Sequence, residues 1–144
     1  MAITAKYILL CDDFRREDNG KFIIIGLYPG GDMRVVQIPF AMPTLTFFMN
    51  LESDRPGNFG FRLKIQHQEA GTVLGQGMGM IPVNDPRQPI IMPVKIGGVV
   101  FNVQGLYGFS LEIDGNKDPI IQTFEVQLGA PLPLMPPMPQ LGRM

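Results

Sequence analysis

Hydrophobic and polar side chains alternate most regularly between Gly105 and Leu128. The first arm has a period of two, with its apolar positions at Tyr107, Phe109, Leu111 and Ile113. The second arm repeats the period, with apolar positions at Ile120, Phe124, Val126 and Leu128. Between them, residues 114–118 (Asp-Gly-Asn-Lys-Asp) are turn-forming. Two alternating arms joined by such a turn predict a β-hairpin with one buried face.

The same period recurs, less regularly, in short segments separated by Gly, Pro, Asn and Asp. These segments predict further strands over 3–11, 21–28, 32–38, 45–51, 59–67, 73–80, 90–96 and 99–103. No segment of adequate length shows a helical period. Nine or ten short strands with frequent turns predict an all-β fold, an immunoglobulin-like antiparallel β-sandwich, with an open barrel as the second choice.

Three segments allow more specific predictions about position in a sheet. Residues 21–28 are apolar on both faces, which predicts a central strand covered on both sides. Residues 90–96 carry Pro93 on one face, which is typical of an edge strand. The pair Gly97-Gly98 predicts a two-residue hairpin leading into the next strand.

The predicted strand 73–80 has glycine on every second position. Its two faces are Gly75, Gly77 and Gly79 on one side, and Gln76, Met78 and Met80 on the other. A bare glycine face indicates the close approach of another backbone or of an aromatic ring. Tight packing within the domain is the favoured explanation, and a ligand groove is the alternative.

The end of the chain differs in composition from the rest. Five of the fourteen prolines fall within residues 130–144, among Leu and Met. Such a segment forms neither strand nor helix, so we predict a sandwich domain over 1–129 and an extended or disordered Pro/Met-rich tail over 130–144. Its apolar side chains suggest that the tail binds its own domain, a second copy or a partner.

Composition and charge exclude several classes of partner. Charged residues make up 17% of the chain and the net charge is -1, so no global field attracts nucleic acid or an anionic membrane. A single cysteine forms no internal disulfide and fits a reducing compartment. Apolar runs are too short for a signal-peptide core or for a membrane span of about 20 residues. We expect a cytoplasmic protein with neither nucleic acid nor membrane as partner.

The first strands resemble a known type of small protein. The motif Cys11-Asp12-Asp13, followed by Asp18-Asn19-Gly20-Lys21 and by Gly26-Leu27-Tyr28, is similar to the opening hairpin of an uncharacterised bacterial family of small all-β proteins. The hairpin from Gly105 to Gly115 resembles the same family more loosely. The resemblance implies an all-β fold and no assigned activity, so it transfers no site.

Groups that perform nucleophilic or metal chemistry are scarce. His67 is the only histidine and lies at the end of the apolar face of strand 59–67, so we interpret it as a structural residue. Cys11 ends an apolar strand and is most simply a buried small hydrophobe. Its neighbours Asp12 and Asp13 would raise the thiol pKa, which disfavours a nucleophile.

The turn at residues 114–118 also has the spacing of a calcium-binding loop. Pro119 stands where an EF-hand needs glycine, and both flanks have the period of strands and not of helices. The hairpin is therefore the better interpretation. A looser calcium site, joining Asp114 and Asp118 with Asp85 or with Asp12, Asp13 and Asp18, stays open as the minor alternative.

The pattern favours a non-enzymatic interaction or structural module that acts through protein–protein contacts or self-association. The alternative is a small-ligand or nucleotide binder with a cleft formed by strand 73–80 and the loops 12–20 and 84–89. A hydrolase built from carboxylates alone is a remote third. We predict no catalytic residue, cofactor or metal. The candidate ligand or partner contacts are Asp12, Asp13, Arg15, Arg16, Gln76, Met78 and Met80.

Overall fold

The computed structural model describes residues 2–130. Within this range strands make up 70% of the residues, and there is no α-helix. The strands are β1 Ile3–Arg16, β2 Phe22–Leu27, β3 Asp32–Val35, β4 Phe40–Ser53, β5 Gly57–His67, β6 Val73–Val83, β7 Ile90–Phe101, β8 Gly105–Ile113 and β9 Ile120–Leu128. One 3₁₀ turn, Pro29–Gly31, separates β2 from β3. The hairpin predicted between Gly105 and Leu128 is confirmed as β8 and β9.

The strands form two sheets that pack face to face. A four-stranded sheet, curled into a half-barrel, has the order β2-β1-β4-β7, and a five-stranded sheet has the order β3-β9-β8-β5-β6. This arrangement confirms the predicted β-sandwich. The grouping of β1, β4 and β7 against β5, β8 and β9 matches the division of strands between the sheets of immunoglobulin-like domains.

One strand departs from the predicted antiparallel arrangement. β3 runs parallel to β9, with its register from Asp32 opposite Glu125 to Val35 opposite Leu128. The turn at Pro29–Gly31 carries the chain from one sheet to the other without the reversal of a hairpin. β3 therefore enters the second sheet in the same direction as β9.

Aromatic rings hold the two sheets together. The ring of Phe47 on β4 stacks on that of Phe109 on β8, with centroids 4.1 Å apart and planes 17° apart. Tyr107 and Phe124 stack at 5.7 Å, and Phe101 meets the Tyr107 ring edge-on at 5.0 Å. All five side chains are buried. Because large rings bury most area per residue, these contacts form the centre of the core.

Tyr107 also fixes the connection between β7 and β8. Its hydroxyl donates a hydrogen bond to the carbonyl oxygen of Val103, four residues upstream. This is the tyrosine corner that immunoglobulin-like sandwiches place at the start of the corresponding strand. The contact gives the buried hydroxyl a partner and holds the turn against the core.

Two of the predictions about position in a sheet are wrong and one is confirmed. β2 lies at the edge of its sheet and not at its centre, with Ile23, Ile25 and Leu27 exposed at 47%, 38% and 51%. Gly97-Gly98 forms no hairpin, because β7 continues through it and Gly98 takes a positive φ of 67° within the strand. β7 is an edge strand, as predicted.

The glycine face of β6 packs inside the domain, as favoured above. A Cβ at Gly79 would lie 2.9 Å from the ring of Phe61, its cross-strand neighbour, and one at Gly75 would lie 3.3 Å from Ile96 on β7. Glycine therefore lets β6 approach both an aromatic ring and the other sheet. The opposite face of β6 points outwards.

The predicted tail over 130–144 lies outside the described residues, except for Ala130. Across residues 2–130, no helix is long and apolar enough to cross a membrane.

The stack of Phe47 on Phe109 makes a prediction about stability. Phe47→Ala should lower the free energy of unfolding by about 3–5 kcal/mol, because it removes a buried ring and leaves a cavity between the sheets. The matched control Ile121→Ala, at an exposed position on β9, should stay within about 0.5 kcal/mol. Urea titration followed by far-ultraviolet circular dichroism measures both, and equal effects would contradict the assignment of the stack as the centre of the core.

Candidate functional site

The candidate contact residues fall into two separate groups. Gln76, Met78 and Met80 lie on the outward face of β6 in the five-stranded sheet, whereas Asp12, Asp13, Arg15 and Arg16 lie along the second half of β1 in the four-stranded sheet. The two cavities lined by Gln76, Met78 or Met80 include no residue of 12–20 or 84–89. The structure thus brings each group together but does not join them in a common cleft.

A groove runs along the outer face of the five-stranded sheet. Its larger part, of about 860 Å³, lies between Met78 and Met80 on β6 and the turn from β8 to β9. A second part, of about 410 Å³, continues past Lys64 and Gln76 and shares Met78 with the first. Met78 and Met80 are 79% and 60% exposed, and they form the apolar wall of what we call the outer groove.

The turn from β8 to β9 forms the other wall and is anchored at two points. Asp114 donates its backbone N–H to the Gly60 carbonyl oxygen, and a Cβ at Gly60 would lie 2.5 Å from the Asp114 carboxylate. The Asn116 side chain accepts hydrogen bonds from the backbone N–H groups of Ala2 and Ile3 and donates one to the Ile3 carbonyl oxygen. These contacts hold the wall in place before any ligand binds.

Charges of both signs line the outer groove. Arg62 and Glu112 form an exposed ion pair across its floor, 3.6 Å between Nη2 and Oε2. The groove also carries Lys117 and the carboxylates of Asp114 and Asp118. Because an exposed pair contributes little to stability, Arg62 and Glu112 are free to exchange partners with a ligand.

The second group of residues lies on the ribbon formed by β1 and β2. The Lys95 ammonium group on β7 lies 2.7 Å from a carboxylate oxygen of Asp13. This contact lowers the pKa of the Asp13 carboxyl, and the hydrogen bond from the Phe14 backbone N–H lowers it further. Lys95 also lies 5.2 Å from the centroid of the Phe14 ring. Arg16 lies 5.9 Å from the Phe22 ring on β2, and both Arg15 and Arg16 are exposed.

Asp12 accepts a hydrogen bond from the Tyr28 hydroxyl at 2.7 Å. Burial, this bond and the negative charge of Asp12 raise the pKa of Tyr28 well above its usual range. Burial, with the charges of Asp12 and Asp13, also raises the pKa of the fully buried Cys11 thiol. The direction predicted for Cys11 is therefore correct, and the thiol has little nucleophilic character.

Both ring nitrogens of His67 contact the backbone. Nδ1 accepts a hydrogen bond from the Ala70 N–H at 3.0 Å, and Nε2 lies 3.4 Å from the Gln104 carbonyl oxygen. Its ring meets the Tyr107 ring edge-on at 4.9 Å. Both ring nitrogens are thus engaged by backbone atoms and not by a nucleophilic side chain.

The acidic residues considered for calcium are dispersed. Among residues 2–130, no three His, Cys, Asp or Glu side chains come together as metal ligands. Asp85 instead binds Arg87, at 3.1 Å between Oδ1 and Nε.

Several residues of these sites carried no signal in the sequence. Asn116 has the composition of any turn, and Arg62 and Glu112 occupy ordinary polar positions of alternating strands. Their roles depend on which strands become neighbours: β5 pairs with both β6 and β8, which places Arg62 opposite Met78 and Glu112. Of the groove, the sequence pattern predicts only one part, a contact surface formed by the outward residues of strand 73–80.

A family model described as a family of unknown function (DUF6941) matches residues 6–122. This match agrees with the resemblance to a family without assigned activity, and residues 123–144 lie beyond it. No curated protein matches the chain.

Among solved structures, the chain is similar to the Pseudomonas fluorescens alkylpurine DNA glycosylase AlkC bound to DNA containing an abasic site analog, with 8% identity and a TM-score of 0.48. The likeness covers 88% of this chain but only 30% of the glycosylase chain, and it carries no argument about function.

Cys11 should be protected from thiol reagents. Because the thiol is buried and its pKa is raised, we expect very slow reaction with Ellman's reagent at neutral pH and rapid reaction in urea. Full reaction of the folded protein within the mixing time would contradict the burial.

The contact between Tyr28 and Asp12 should give alkaline sensitivity. The raised pKa of Tyr28 means that the bond stabilises the fold below the ordinary tyrosine pKa of about 10 and is lost as the pH rises through the folded value. Tyr28→Phe should therefore be about 1 kcal/mol less stable than wild type at pH 7, with the gap closing above about pH 10.

Urea unfolding between neutral and alkaline pH measures this gap. Tyr7→Phe, at an exposed position, is the matched control and should change stability by less than about 0.5 kcal/mol. A gap for Tyr28→Phe that widens with pH would contradict the assigned hydrogen bond.

Proposed function

We propose that this chain, which belongs to the DUF6941 family of unknown function, is a non-enzymatic module that binds an extended segment of a partner protein in its outer groove. The observation that carries the proposal is the pair of exposed methionines, Met78 and Met80, along an open groove on a sheet face.

Methionine suits a protein-binding surface. Its unbranched side chain and polarisable sulfur adapt to different partner shapes, and it is used for this purpose at surfaces that bind several sequences. Met78 and Met80 stand side by side on one groove and keep their apolar surface in water, as contact surfaces do. Contact with a partner would bury them.

The charges of the groove define the partner further. One end carries Arg62, Lys64 and Glu112, a net charge of +1. The end formed by the turn from β8 to β9 carries Asp114, Asp118 and Lys117, a net charge of -1. A segment with apolar side chains in its middle, an acidic residue at one end and a basic residue at the other matches this order. The weak pair of Arg62 with Glu112 would open to receive it.

The surroundings of two reactive side chains support the proposal that the module is not an enzyme. The ring nitrogens of His67 contact backbone atoms, and the Cys11 thiol is buried with a raised pKa. The lone reduced thiol also supports the cytoplasm as the compartment.

The alternative, a small-ligand or nucleotide site, is favoured by one observation. The larger part of the groove, at about 860 Å³, falls within the range of about 300–1,000 Å³ found for ligand sites. Such sites are mostly enclosed and apolar, however, and this groove is open and lined by charges of both signs. A polypeptide therefore fits it better.

Peptides displayed at random and selected on the full chain test the proposal. We expect selected peptides to shift the methyl resonances of Met78 and Met80 in protein labelled at its ten methionines. Replacing both side chains, Met78→Lys with Met80→Lys, should weaken binding by about tenfold or more, because it removes the apolar wall.

Val36→Lys with Val103→Lys changes two other exposed apolar residues and is the matched control. Peptides that bind both double variants equally, or that shift only other methionines, would contradict the groove as the site. A small molecule retained by wild type in native mass spectrometry and lost with Met78→Lys would favour the alternative.

A further inference from the structure

The outer edge of β2 is open for strand pairing. Within residues 2–130, β2 is the terminal strand of its sheet and pairs with β1 alone. Its six residues, Phe-Ile-Ile-Ile-Gly-Leu, contain no charge and no proline. Ile23, Ile25 and Leu27 are exposed along it. An uncharged apolar edge is a surface that natural sheets normally block.

The other edges of the sandwich are blocked in the ways that proteins commonly use. β7 carries Pro93 and Lys95, β6 carries Pro82 and lies against β7 at Gly75, and β3 has only four residues. Proline, lysine and short length each prevent the addition of another strand. Among the described edge strands, β2 carries neither proline nor lysine and is longer than β3; its one irregularity is Gly26, which has a positive φ of 67°.

Charges along β2 are arranged antisymmetrically. Arg16 and Arg15 lie opposite Phe22 and Ile23 at one end, while Asp13 and Cys11 lie opposite Ile25 and Leu27 at the other. With Lys21, Glu17 and Asp18 of the adjoining turn included, the first end has a net charge of +1. With Asp12 and the Lys95 partner of Asp13 included, the second end has -1.

We propose that β2 pairs antiparallel with β2 of a second copy of the chain, joining two four-stranded sheets into one of eight strands. A twofold axis at the middle of β2 places the positive end of each copy beside the negative end of the other. A parallel pairing would instead bring like charges together. The exposed isoleucines of the two copies then cover one another across the axis.

The interface lies on a different sheet from the outer groove, so either proposal can fail without the other. The proposed dimer gives the exposed Arg15 and Arg16 a partner of opposite charge. That partner is the acidic end of the other copy, where Tyr28 and Lys95 hold Asp12 and Asp13 in place. The dimer also covers the free backbone groups of β2 in both copies.

Light-scattering mass and sedimentation of the full chain test the proposal. We expect a concentration-dependent species of twice the 16.0 kDa chain mass. Ile25→Lys should weaken self-association by about tenfold or more, since it places like charges across the axis. Ile121→Lys makes the same change at a site 57% exposed on the other sheet and should leave the mass unchanged.

Hydrogen exchange supplies the second measurement on wild-type protein. Amide protection over residues 22–27 should rise with concentration, while protection of β6 and β7 stays constant. Arg15→Glu should weaken the dimer, and Arg87→Glu, in the loop between β6 and β7, should not. A monomer at all accessible concentrations, an assembly that grows without limit, or a dimer that Ile25→Lys leaves intact would each overturn the proposal.

Discussion

The stacking of Phe47 on Phe109 is the contact on which the rest of the structure depends. It joins β4, an inner strand of one sheet, to β8 of the other. Around it, Phe101, Tyr107 and Phe124 fix how the sheets face one another. Because both inner faces are buried in this core, contacts with other molecules can form only at the outer faces, the edges and the turns. The two proposed binding surfaces are of this kind, one an outer face and one an edge.

Both surfaces depend on residues that are unusual for their position. Gly60 leaves room for the turn after β8, and glycines on the inner face of β6 let Met78 and Met80 stand on a strand that packs closely behind them. On the other sheet, the apolar run of β2 occupies an edge where charge or proline would normally stand. Each surface exposes apolar side chains to water that do not contribute to the core. Binding of a partner explains their exposure better than the stability of the fold does.

Much of the fold could be predicted from the period of two, because inward and outward residues of β5, β8 and β9 differ clearly in polarity. The position of β2 could not, since a run that is apolar on both faces looks alike at the centre of a sheet and at an edge. The parallel pairing of β3 with β9 depends on a crossover between sheets, which neither segment indicates in its sequence.

Of the outer groove, the sequence predicts only Gln76, Met78 and Met80 as contact residues. The contributions of Arg62, Glu112 and Asn116 arise from strand order and from contacts more than 100 residues apart in the chain, as between Asn116 and Ile3.

The contact of Asn116 with Ile3 and the pairing of β3 with β9 have a consequence for how the protein folds during synthesis. The first strand is fixed by a side chain in the last hairpin, and β3 has no ladder until β9 exists. On the ribosome, these two contacts can therefore form only after nearly all of residues 2–130 have left the exit tunnel. Until the second sheet is complete, the apolar inner faces of the early strands have nothing to pack against, which lengthens the interval in which they are open to aggregation.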